Sequence, residues 1–137
     1  MKKLLLLLIA SFAIGASSFC QVQPAKQEWL TIKTPNVRCW ECKKRLEDYM
    51  AREIQNNQSG VLKMTINMLS GTTRVLYRTD RTNADNIKTS FNNAGFDADD
   101  MKATEDSYKM LPPQCKRVEE GGGPKKGKPC HMDPQYQ

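Results

Sequence analysis

Residues 29–55 read WLTIKTPNVRCWECKKRLEDYMAREIQ, and the hydrophobic period changes once within them. Trp29, Leu30, Ile32 and Thr34 make a short strand, which Pro35 and Asn36 end. From Cys42 onward Leu46, Tyr49, Met50 and Ile54 recur at three and four residues, the spacing of one buried helical stripe. Lys43, Lys44, Arg45, Glu47, Asp48 and Arg52 lie between them as a solvated face. The helix is expected from near Trp40 to near Gln55, where Asn56, Asn57, Gln58, Ser59 and Gly60 break it.

Downstream, alternation returns. Leu62, Met64, Ile66 and Met68 share one strand face, Ser70 and Gly71 turn the chain, and Thr72 to Tyr77 return as the second arm of a hairpin. Thr82 is the expected cap of a second helix, with Asp85 in its first turn. Ala84, Ile87, Phe91 and Ala94 form its stripe, and Gly95 is its stop. A last strand is expected over Asp97 to Ala103, followed by a helical turn from Thr104 that Pro112 and Pro113 end. This order predicts an α+β, ferredoxin-like βαββαβ sandwich, a four-stranded antiparallel sheet with two helices on one face. Its core would use Leu30, Ile32, Leu46, Met50, Ile54, Leu62, Met64, Ile66, Val75, Ile87 and Phe91, with Met101 and Met110 also on buried faces.

The 137-residue chain has room for one such domain. Lys2 and Lys3 followed by the apolar stretch Leu4 to Ile14 and then Gly15, Ala16, Ser17 and Ser18 read as a signal peptide over 1–20. The stretch falls short of the roughly 20 apolar residues a membrane span needs. The expected cut follows Cys20, with Ser18 a near equal, and a lipid anchor on Cys20 is the less favoured reading because Phe19 precedes it. The expected destination is therefore the periplasm or another extracytoplasmic space. The domain is expected over 28–113, with a short extension at its end. Residues 114–137, rich in Gly and Lys and poor in apolar residues, read as a flexible, disordered tail. Without Lys2 and Lys3 the formal charge falls from +6 to +4, dispersed along the chain, which favours solubility and gives no nucleic-acid signature.

Thr34-Pro35-Asn36-Val37-Arg38-Cys39-Trp40-Glu41-Cys42 places two thiols where a strand ends and a helix begins. Free N–H groups and partial positive charge at a helix start stabilise thiolate, and Arg38, Lys43 and Lys44 push the same way. Two such thiolates, held accessible, can close on one soft ion: Cu(I) first, then Hg(II) or Zn(II). Cys115, Cys130 and His131 are further donors that could join the site, though a Cys115–Cys130 disulfide is slightly preferred. Two rival uses of the pair stay open. One is an inert Cys39–Cys42 disulfide, natural in an oxidising compartment; the other is thiol–disulfide redox chemistry, for which the strand order lacks the thioredoxin pattern. His131 is the only histidine, and no nucleophile–base pair, paired carboxylates or phosphate loop appears, so the protein reads as a binder rather than an enzyme. An RNA-binding sheet would need more aromatics than Thr72 to Tyr77 supply.

Over about residues 28–103 the chain resembles the heavy-metal-associated domains of copper chaperones, metal-pumping ATPase modules and periplasmic mercury-binding proteins. In that family the first loop reads Gly-Met-x-Cys-x-x-Cys. Both cysteines match here, while Asn36 and Val37 stand in place of glycine and methionine. The resemblance implies that Val37 packs under the loop, that Phe96 in the last loop lies close to the cysteines, and that the ion passes to a metal-transporting membrane protein or another carrier. Tyr108-Lys109-Met110-Leu111-Pro112-Pro113-Gln114-Cys115 resembles an extension of exported bacterial relatives, in which a leucine–proline pair precedes a cysteine.

Overall fold

A computed structural model describes residues 26–124 except 57. The expected signal peptide, Cys20, and residues 125–137 of the expected tail, with Cys130 and His131, lie outside the described residues. The described chain holds three strands, β1 Gln27–Lys33, β2 Val61–Asn67 and β3 Thr72–Arg78, and three helices, α1 Trp40–Gln55, α2 Ala84–Asn93 and α3 Glu105–Lys109. Single turns of 3-10 helix follow at Pro113–Cys115 and Val118–Glu120. The strands form one antiparallel sheet in the order β1-β3-β2. No described helix is long and apolar enough to cross a membrane.

One face of the sheet carries Ile32, Val75 and Tyr77, and these join Leu46 and Met50 of α1 and Ile87 and Phe91 of α2 in a single buried cluster. The opposite face is exposed; there Arg74 lies over the Trp29 ring at 4.7 Å. Helix α1 has the expected bounds because its stripe of Cys42, Leu46 and Met50, all fully buried, has an unbroken four-residue period. Leu62 departs from the expected core. A bulge between Val61 and Lys63 slips the register, so Val61 turns inward and Leu62 is left 39% exposed. Met110 is also outside, at the end of α3. The cap of α2 is Asn83 rather than Thr82: its side-chain oxygen accepts the Asn86 N–H at 2.9 Å, a role in which Asn surpasses Thr.

The fourth strand expected over Asp97 to Ala103 is absent, replaced by a tight turn with one isolated bridge between Ala98 and Met101. Asp99 explains the change. It takes φ 55°, a left-handed conformation that Asp tolerates and a strand does not. Its N–H donates to the Lys33 carbonyl at 2.9 Å, and its carboxylate accepts the Lys33 N–H at 2.8 Å. One residue therefore satisfies the end of β1 where a whole strand was expected. Lys88 of α2 reaches the same carboxylate at 2.9 Å.

Gly95 closes α2 as expected. At φ 93° it lets the Phe96 N–H return to the Phe91 carbonyl at 3.0 Å, and a Cβ there would meet the Ser107 carbonyl oxygen at 2.9 Å. Gly95→Ala is expected to cost about 1–3 kcal/mol in urea unfolding, through backbone strain and that clash. A loss below about 0.5 kcal/mol, the scatter of ordinary surface changes, would show that the turn adjusts freely.

Candidate metal centre

Cys39 is the N-cap of α1, in extended conformation, and its carbonyl accepts the first helical bond from the Lys43 N–H at 2.9 Å. Cys42 lies one turn in and faces the sheet because it begins the buried stripe. Cys115 arrives from the far end of the chain, in the 3-10 turn that follows Pro112 and Pro113. The three sulfur atoms all lie within 4.8 Å of one another. Cys42 and Cys115 are joined in a disulfide across 73 residues of sequence, with Cα atoms 5.4 Å apart. Cys39 also carries a disulfide, and its Sγ lies 3.1 Å from that of Cys42. Both sulfurs are bonded, so neither holds a proton, and the approach is a close sulfur contact rather than a hydrogen bond.

Two expectations and one rival reading change here. Cys115 is bridged to Cys42, which rules out the Cys115–Cys130 pairing in this state. A Cys39–Cys42 bridge does not form, although the two sulfurs are adjacent. The sulfurs are not accessible either: Cys39 is 3% exposed, and Cys42 and Cys115 are fully buried. The cations expected to favour thiolate point elsewhere. The Arg38 guanidinium donates to the Pro35 carbonyl at 2.6 Å, while Lys43 pairs with Glu47 and Lys44 with Asp48. What remains is the positive end of α1. Val37 and Phe96 are both fully buried in the cluster that contains the three cysteines.

The chain beyond Pro113 does not leave the domain at the expected boundary, since residues 114–123 are held by polar contacts to the loop and core. Asn36 bridges two parts of the structure, its side-chain amide donating to the Cys115 carbonyl at 3.3 Å and its oxygen accepting the Asp97 N–H at 3.2 Å. Gln114 bonds Glu41 in the first turn of α1. Arg117 makes two bonds to the Asp97 carboxylate, each 2.7 Å, and a third to Glu120 at 2.9 Å. Its guanidinium lies over the Tyr108 ring at 4.1 Å. The Tyr108 hydroxyl in turn accepts the Arg117 N–H at 2.9 Å and donates to Glu120 at 2.7 Å. Burial alone would raise the Asp97 carboxyl, but Arg117 and the Ala103 N–H outweigh it and hold the group below its ordinary range. Sequence reasoning missed Asn36, Asp97 and Arg117 as structural groups. The only available signal was a pair of opposite charges 20 residues apart, which has no period to detect.

No family model matches the chain, and no curated protein matches it. Among solved structures it is similar to oxidized MerP from Ralstonia metallidurans CH34, at 15% identity, with 53% of this chain and 94% of that chain covered and a TM-score of 0.46. A likeness at that score carries no argument about function.

Proposed function

We propose that the reduced protein binds one soft metal ion through Cys39 and Cys42, with Cys115 as a third donor, and passes it on by ligand exchange. The observation that carries this reading is the convergence of three sulfurs within 4.8 Å at a helix N-terminus, a donor set suited to soft ions. Soft sulfur donors suit Cu(I), the first choice, with Hg(II) or Zn(II) next. In the oxidised state the sulfurs are spent on bridges. Loading therefore needs one external dithiol for each bridge, each closing to its own disulfide while its two protons pass to the two sulfurs it releases. Transfer would follow when an incoming thiolate from a metal-transporting membrane protein or another carrier enters the shell and one cysteine leaves. We place this exported binder, which is not an enzyme, in the periplasm or another extracytoplasmic space, with metal and carrier rather than nucleic acid as its partners.

A second reading has its own support. The Cys42–Cys115 bridge spans 73 residues and is fully buried, the form of a purely structural staple. Native mass spectrometry of the protein, with and without a dithiol and titrated with Cu(I), separates the two. One ion taken up only after reduction, and lost in Cys39→Ser/Cys42→Ser, supports the metal site. A bridge that resists reduction, with no uptake, leaves the staple alone.

A further inference from the structure

Resting on the reading of these sulfurs as a metal site, we infer that the three-sulfur form is matched to a trivalent, sulfur-seeking metalloid such as arsenic(III). The argument is one of charge in a buried place. Cys39, Cys42 and Cys115 are 3%, 0% and 0% exposed and sit in an apolar cluster with Val37 and Phe96. Three thiolates around Cu(I) carry a net charge of minus two, and around Hg(II) minus one. Around As(III) the complex is neutral. Burying net charge without a partner is costly, and the neighbouring cations are turned to other groups: the exposed Arg38 to the Pro35 carbonyl, Lys116 to the Tyr108 ring, and Arg117 to Asp97 and Glu120. The α1 N-terminus offers only about half a positive charge, too little to balance the copper complex. The neutral product suits the site best.

The chemistry balances without a redox step once the bridges have been opened by dithiol. Arsenous acid brings three hydroxyls. Each cysteine forms one As–S bond, its thiol proton leaves with one hydroxyl as water, and three waters are released. Arsenic stays trivalent. Its lone pair needs no donor, so the apolar walls around the sulfurs cost the product nothing.

The test uses the reduced protein under anaerobic conditions with arsenite, read by native mass spectrometry beside a parallel Cu(I) titration. The expected adduct gains one arsenic atom and loses three protons. Cys115→Ser should keep a two-sulfur adduct in which arsenic retains one hydroxyl, two thiol protons leaving in two waters, and should bind roughly 100-fold more weakly, the scale of gain from a tethered extra donor. Since that variant also lacks a native bridge, circular dichroism checks its fold. Should it unfold, the proton count on the unaltered protein decides alone. An unaltered-protein adduct that loses only two protons overturns the inference, as does Cu(I) uptake without arsenite uptake. Three protons still lost in folded Cys115→Ser would also overturn it, by assigning the third bond to another cysteine. If neither ion binds, the metal-site reading itself fails.

Discussion

Replacing both bridged cysteines, in Cys42→Ala/Cys115→Ala, is expected to lower the unfolding free energy by about 4 kcal/mol through the unfolded chain alone, given the 73 residues that the bridge closes. The cross-link denies the unfolded chain its widely separated states, and the logarithm of loop length sets the scale. Both side chains are fully buried, so the lost sulfur packing adds to the cost. A domain of this size has about 5–15 kcal/mol in total, so the variant should lie near the edge of folding. Urea unfolding of the variant against the oxidised parent gives the number. A difference below about 1 kcal/mol would show that the ends are already held together without the bond, and would remove the chain-entropy account. The consequence bears on the proposed function. If loading requires reduction, the metal-ready protein is much less stable than the oxidised one, and the bound ion must restore what the bridge supplied.

The core of this fold was legible where burial has a period. Helix α1 could be bounded from Cys42, Leu46 and Met50, and the hairpin from the alternation of Met64, Ile66, Val75 and Tyr77, because each stripe repeats the geometry of its element. Single-residue devices were not legible. A bulge at Leu62 shifts one residue and leaves the pattern formally intact, and Asp99 ends the sheet by lending β1 a carboxylate, which no hydropathy pattern encodes. The site divided in the same way. Cys39 and Cys42 announced themselves by spacing at a helix start, whereas pairing Cys42 with Cys115 is a tertiary fact, one of the three connectivities that four cysteines allow. The start of the expected tail misled for a related reason: Gly, Lys and Glu just beyond Cys115 have the composition of a disordered segment, yet Arg117 finds Asp97 and anchors the stretch around it.

Arg117→Ala is expected to destabilise the protein by about 3–5 kcal/mol, because it strands the Asp97 carboxylate in a place where both partners of the pair are about a tenth exposed. The same pair sets an acid limit. Asp97 is held below its ordinary value in the folded state, so the stability it contributes is fully present above the unfolded carboxylate range. That contribution is lost as pH falls through the depressed folded value. Unfolding measured at neutral and at acid pH should show the gap between parent and Arg117→Ala narrowing as Asp97 protonates; a gap that stays constant would place the cost in lost packing against Tyr108 instead. The effect should reach the sulfurs, since Arg117 follows Cys115 by two residues and pins that segment over the loop that begins α1. With the pin removed, an external dithiol should reduce the Cys42–Cys115 bridge faster at equal temperature and pH, by more than the measured loss of global stability accounts for, through transient lifting of the segment. An acceleration equal to that loss of stability would mean that the bridge is exposed only when the whole domain opens, and that the segment is no gate to the site.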